Sequence, residues 1–283
     1  MKICVIMLGL FGDVLLRTPI LRALKTKFPD SKITVIVDKI GYEVLKNNPN
    51  IEKIITMDRN RSNYLKYIIS KISTQFKIIL NKFDLLIDLY DGSSSKMMAK
   101  FSFARWIIKN KTNSNLYSFQ NRFHLTNQLF EKISEIKFHD IDISPEFFID
   151  HKATKCDLDK NSYILSLGSG DLEKILSFEK NFKLVEYIYN KFNLIPAIVQ
   201  NPKQEFLQND FINNFLAPKG IKHIKLNAKS INEIAFYLKN TNFLISPDTG
   251  ILHLAFAVKT PSFCVFTKTH PILITPPPIA SLV

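Results

Sequence analysis

Short apolar, β-branched runs alternate with segments of helical spacing along almost the whole chain, and this alternation limits the fold more than any other feature. Residues 3–8 form a continuous apolar run followed by the turn Gly9-Leu10-Phe11-Gly12. From Asp13 to about Phe28, Val14, Leu15, Ile20, Leu21 and Leu24 recur at helical spacing, and Pro19 should kink that helix or mark a boundary in it. Residues 33–37 and 51–56 are further strand-like runs. Residues 61–81 place Tyr64, Leu65, Ile68, Ile69, Ile72, Phe76 and Ile79 at helical spacing. Residues 84–89 read as a buried strand that ends in the loop from Tyr90 to Ser95 and feeds another helix. The second half repeats the theme. Strand-like runs at 163–167, 194–200, 222–226, 242–246 and 262–266 are separated by helical patterns at 178–191, 204–215, 230–238 and 249–258. Strands separated by helices imply parallel sheets covered on both faces.

Two such series, joined by the polar, acidic segment 139–160, predict an α/β protein of two Rossmann-like domains facing a cleft, residues 1–150 and 151–283. Ligands in this architecture bind beyond the carboxyl ends of the strands. The length of 283 residues suits one large or two medium domains.

The chain carries a formal charge of +13. Within residues 59–122 there are 12 Lys or Arg against 3 Asp or Glu, interleaved with Tyr64, Tyr67, Phe76, Phe83, Phe101, Phe103 and Trp106. Nucleic acid, an anionic membrane surface or an anionic substrate would each explain such a field, as would genome base composition. Amphipathic interfacial helices have this makeup, and so does an ordinary helix packed on a sheet. No apolar run approaches the roughly 18 residues that cross a bilayer. The apolar start reads as a first strand rather than a signal peptide, since Asp13 follows too soon. Cys4, Cys156 and Cys264 lie far apart, and Cys4 and Cys264 read as reduced core residues of a cytosolic protein. With no CxxC and no clustered His, the sequence offers no metal site.

Three constellations could carry chemistry. In Gly12-Asp13-Val14 a carboxylate starts a helix, either as a cap or as a base at the carboxyl edge of the first strand. In the run from Ser246 to Leu254, N–H groups of Thr249, Gly250 and Ile251 at a helix start can cradle phosphate oxygens, with Asp248 ordering the turn. His253 lies one turn in, as a phosphate donor or a satisfied buried imidazole. In Gly168-Ser169-Gly170 a glycine-rich turn precedes Lys174, which could neutralise a diphosphate or be solvated; the P-loop spacing is absent.

The opening from Gly12 to Lys25, continued through Phe28-Pro29-Asp30, resembles glycosyltransferase family 9, the ADP-heptose:lipopolysaccharide heptosyltransferases. Asp248-Thr249-Gly250 with His253-Leu254-Ala255 and Thr260-Pro261 is similar to that family's second hallmark, and Ile87-Asp88-Leu89 and Ala104-Arg105-Trp106 also fit. The resemblance implies a glycosyltransferase-B fold with an amino-terminal acceptor domain and a carboxyl-terminal nucleotide-sugar domain. It implies inverting, metal-independent transfer of a heptose or similar sugar to a lipopolysaccharide or lipooligosaccharide core, with no cofactor. Asp13 would be the general base, with Gly12 shaping the acceptor turn. Lys174, Asp248, Thr249, Gly250 and His253 would form the donor phosphate site. The family pattern is broken at Met7, at Thr267 and at Lys174-Ile175-Leu176-Ser177. ADP-heptose is the expected donor, and another sugar nucleotide the alternative.

After Lys268 fifteen residues carry no Lys, Arg, Asp or Glu and include Pro276-Pro277-Pro278, which suggests a shortened or frameshifted end. A non-catalytic homologue acting in binding or assembly is therefore a second expectation. A nicotinamide oxidoreductase is disfavoured because no GxGxxG follows the first strand. The charge forms no recognisable nucleic-acid motif.

Overall fold

The computed structural model describes residues 1–60, 62–109, 142, 144–152, 158, 160–199 and 204–268. Cys156, the tail beyond Lys268 and residues 110–122 of the basic segment lie outside the described residues. The described residues divide into two compact units, one within residues 1–145 and the other within residues 146–268.

The first unit holds a parallel five-stranded sheet in the order β3-β2-β1-β4-β5. Its strands are β1 (Lys2–Ile6), β2 (Lys32–Val37), β3 (Lys53–Thr56), β4 (Leu85–Asp88) and β5 (Trp106–Lys109). β1 is central, and residues 3–8 are wholly buried, which is why that run is apolar without alternation. The expected helix from Asp13 to Phe28 is two helices, α1 (Phe11–Leu16) and α2 (Thr18–Lys27). The break falls at Arg17 because Pro19 sits in the first turn of α2, where its missing N–H costs nothing. α3 (Lys39–Leu45), which the periodicity did not mark, starts where Asp38 accepts from the Gly41 N–H at 3.0 Å. α4 (Tyr64–Asn81) is capped by Asn63, and α5 (Ser93–Lys100) follows β4. Cys4, Ile6, Leu8, Ile36, Ile78, Leu86 and Met98 meet in one core cluster.

The second unit repeats the plan with β10-β9-β6-β7-β8, all parallel. Its strands are β6 (Ser162–Leu165), β7 (Ile195–Val199), β8 (Ile224–Leu226), β9 (Leu244–Pro247) and β10 (Ser262–Val265). Helix Phe178–Phe192 starts on a Ser177 cap and ends at Asn193 in the left-handed region, φ 53°. The helix expected over 204–215 is shorter, Glu205–Phe211, and continues as a π-helical turn, Ile212–Leu216. Helix Ile231–Lys239 opens on a reciprocal cap: Ser230 accepts from Glu233 N–H while Glu233 accepts from Lys229 N–H. Helix Gly250–Ala257 follows β9 and is buried over most of its length. Cys264 departs from the expected core position: β10 is an edge strand, and the thiol is only half-buried.

Candidate functional site

Each sheet has one point where the strand order reverses, β1/β4 in the first unit and β6/β9 in the second. Loops leaving adjacent strand ends diverge there and leave room for a ligand. Every site residue expected from the sequence lies on a segment that follows β1, β6 or β9.

In the second unit the turn Asp248-Thr249-Gly250 leaves β9, and Gly168-Ser169-Gly170 follows β6. Lys174 ends a short 3-10 turn, Leu172–Lys174, and its Nζ lies 2.5 Å from Asp248 Oδ2. The bridge ties the two loops, and the Asp248 side chain is only 5% exposed. Asp248 therefore holds Lys174 at the turn. Thr249 stands in extended conformation ahead of helix Gly250–Ala257, whose first N–H groups carry the positive end of the helix dipole. Ser246 Oγ bonds Pro247 O at 2.8 Å and approaches Thr249 Oγ1 at 3.3 Å, which fixes the turn. His253 is buried and lies edge-on to Phe256, with ring centroids 6.3 Å apart. Outside this core, Lys268 pairs with Glu173 at 2.5 Å and Asp171 at 3.1 Å. The Lys268 ammonium, bonded to both, holds Asp171 below the usual carboxylate range, helped by the Glu173 N–H. Burial, reinforced by the Asp248 charge, pushes the Cys264 thiol up to about 12.

In the first unit Asp13 sits in the opening turn of α1, half-buried, and its Oδ2 accepts from the Leu10 N–H at 3.3 Å. Gly12 precedes it within the same turn. Gly9 adopts φ +154°, and a Cβ there would lie 3.1 Å from Asp13 Cβ and 3.2 Å from Arg17 Nη1. Arg17 Nη1 in turn donates to Leu8 O at 2.6 Å. The missing side chain at Gly9 is thus the space that Asp13 and Arg17 use.

The sequence reading missed a cavity of about 120 Å³ beside this turn, lined by Leu8, Met57, Arg59, Tyr67, Tyr90 and Ser94 among others. Arg59 donates to Tyr90 Oη at 2.6 Å and to Asp38 Oδ2 at 3.3 Å, and its guanidinium carbon stands 4.7 Å from the Tyr90 ring centroid. Tyr67 Oη and Ser94 Oγ are 2.9 Å apart. Below the loop, Asp88 is wholly buried. Its Oδ1 accepts from Tyr90 and Asp91 N–H at 3.0 and 3.1 Å, while Oδ2 has no hydrogen-bond partner among the described residues. Burial raises the Asp88 carboxyl, against opposing hydrogen bonds from Ser95, Asp91 and Tyr90. The sequence signal for this cavity was positional: Tyr90 follows β4, which flanks β1, and Arg59 follows β3, one strand further out on the other side.

Residues 215–281 match the profile of glycosyltransferase family 9 (heptosyltransferase). Over 95% of its length the chain is 25% identical to lipopolysaccharide heptosyltransferase 1 of Campylobacter coli, covering 84% of that protein. The fold is shared with a solved family 9 glycosyl transferase from Veillonella parvula, with a TM-score of 0.80 at 19% identity over 98% of this chain and 83% of that one. It is also shared with the E. coli heptosyltransferase WaaC solved with ADP-2-deoxy-2-fluoro heptose, with a TM-score of 0.74 at 16% identity over 96% of this chain and 90% of that one. Motif order, the two switch points and these likenesses agree in the same direction: the chain is similar to glycosyltransferase family 9.

Proposed function

We propose that this glycosyltransferase moves a heptose, or a closely similar sugar, from ADP-heptose to a lipopolysaccharide core acceptor, with inversion and without a metal. The second unit binds the donor and the first binds the acceptor. The observation that carries the donor half is the Lys174–Asp248 bridge beside the first-turn N–H groups of helix Gly250–Ala257. An ammonium and a helix N-terminus at adjacent strand ends suit a diphosphate. The likeness to a heptosyltransferase solved with an ADP-heptose analogue supports the choice of nucleotide.

In this reading Asp13 takes the proton of the acceptor hydroxyl as its oxygen attacks the anomeric carbon. The bond from that carbon to the β-phosphate oxygen breaks, and ADP leaves with the electron pair. Negative charge then builds on the β-phosphate, where Lys174, the N–H groups at Thr249 and Gly250, and His253 stabilise it. A donor of this kind contributes about 2–4 kcal/mol of barrier lowering. Asp248 orders Lys174 rather than touching phosphate, since two anions repel. The Arg59–Tyr90 cavity, lined by a guanidinium and by the hydroxyls of Tyr67, Tyr90 and Ser94, suits a sugar acceptor that carries negative charge.

Calorimetric titration with ADP, UDP and GDP tests the donor assignment. ADP should bind selectively, and Lys174→Ala should weaken it more than tenfold. Preference for UDP or GDP would replace the donor, and binding of none would favour a non-catalytic role. Transfer that persists in a chelator, with the product's anomeric configuration opposite to the donor's, is expected from the mechanism.

A further inference from the structure

We propose that the outward face of α4, together with the exposed aromatics of residues 101–106, docks this chain on an anionic lipid bilayer surface. α4 meets the core of its own unit along one narrow face, through buried Thr74 and Ile78. On the opposite side stand Leu65, Ile69, Ile72, Phe76 and Leu80, at intervals of four, three, four and four residues. About 100° of rotation per residue gathers these five into a single stripe. All five are exposed, from 51% at Ile72 to 77% at Leu80. Single exposed apolar residues are ordinary on a protein surface, whereas an apolar stripe five side chains long marks an interaction face.

Phe101, Phe103 and Trp106 extend the apolar surface, with Phe103 79% exposed. Gln75 Nε2 donates to Phe101 O at 2.8 Å and holds this group against α4. Lys100 Nζ lies 5.6 Å from the Phe101 ring centroid, and the Arg105 guanidinium 4.4 Å from that of Trp106. Paired cations and aromatic rings of this kind sit well at a headgroup boundary, where the ring has one apolar and one wet side.

Charge selects the occupant. α4 carries no acidic residue, and Lys66 and Lys77 flank the stripe, whereas Lys71 lies half-buried on the side of Ile78. The acids of residues 59–109 do not offset this field: Asp88 is buried, Asp91 pairs with Lys96 at 3.2 Å, and Asp84 accepts from Lys2 N–H at 2.7 Å. Lys66 is the exception among the α4 lysines, since it pairs with Asp58 at 3.2 Å. A second copy of the chain would set one cationic face against another across a two-fold axis, which disfavours a homodimer. A plane of anionic headgroups meets both needs, taking Lys77, Lys100 and Arg105 at the phosphates and the stripe at the acyl boundary. No helix among the described residues is long and apolar enough to cross a membrane, so this contact lies on the surface.

The test is cosedimentation with vesicles of phosphatidylcholine alone or mixed with phosphatidylglycerol, at low and high salt. Trp106 is the chain's one tryptophan, so its emission reports the patch directly. We expect binding to the phosphatidylglycerol vesicles at low salt, with a blue shift of Trp106. Ile69→Glu with Phe76→Glu should weaken binding by more than about tenfold, as loss of two buried apolar side chains requires. Lys77→Glu with Lys100→Glu should remove the salt-sensitive part. These four side chains contact little of the core, so melting temperatures should stay level. Absence of vesicle binding at low salt would overturn the proposal. So would binding that these variants leave intact, or a dimer that they dissolve while vesicles are ignored. None of these readouts depends on sugar transfer, so the reaction assignment stands or falls separately.

Discussion

Lys174 Nζ lies 2.5 Å from Asp248 Oδ2, and this one contact joins the loop after β6 to the turn after β9. The aspartate is nearly buried and the lysine side chain 26% exposed, so removing either partner has unequal consequences. Lys174→Ala leaves a desolvated carboxylate without its cation and should cost about 2–3 kcal/mol of stability. The double variant Lys174→Ala with Asp248→Asn should recover most of that loss while ADP affinity stays low. Denaturant titrations of the four proteins in the cycle decide this; additive losses would mean that the pair is not coupled.

Asp13 should separate chemistry from binding. Asp13→Asn retains the shape of the α1 turn and removes the base, so transfer should fall by roughly 10²–10⁴ with donor affinity unchanged. Gly9→Ala reaches the same carboxylate indirectly. Its Cβ would crowd Asp13 Cβ at 3.1 Å and Arg17 Nη1 at 3.2 Å, at a φ of +154° that other residues rarely adopt. Its kcat should drop with an unaltered pH profile, measured by steady-state transfer. A variant with full activity would show that the turn tolerates displacement of Asp13.

The parallel α/β plan was legible because strands buried on both faces must be apolar throughout, as in residues 3–8 and 33–37. The donor turn was legible because Asp248-Thr249-Gly250 joins a strand to a helix with small residues at the join. What stayed hidden depends on contacts across the sequence. Gly168-Ser169-Gly170 gives no hint that Lys174, 74 residues before Asp248, would pair with it. Arg59 and Tyr90 read as one basic residue in a charged stretch and one aromatic in a loop, and only the β3-β2-β1-β4 order lines one cavity with both. α3 escaped notice because it is short and its start is set by the Asp38 cap.

The Arg59 cavity should govern acceptor affinity. Arg59→Ala removes the one cation that lines it among the described residues and should raise the acceptor KM about tenfold or more with a small change in kcat. Gly92→Ala tests the wall independently, since a Cβ there would stand 2.2 Å from Tyr90 Cε1 and force that ring to move. Both variants should leave ADP binding intact. Steady-state kinetics with acceptor varied at saturating donor would separate this from a kcat effect, which would relocate the acceptor.

Asp88 should give the fold a pH dependence opposite to that of a paired carboxylate. Burial is the largest influence on it and raises its pKa above the unfolded value of about 4. Between those two values the folded chain holds more protons than the unfolded one. Linkage then makes its contribution most favourable below the unfolded value and lost as pH rises through the folded value. Asp88→Asn keeps an oxygen to accept from the Tyr90 and Asp91 N–H groups but does not ionise. The variant should therefore gain on the wild type in melting temperature as pH is raised from about 4 towards 7. Asp88→Ala should instead be less stable throughout, because two loop N–H groups lose their acceptor at about 1–3 kcal/mol each where buried. A difference between Asn variant and wild type that stays constant with pH would show that Asp88 is ionised at no cost in the folded state.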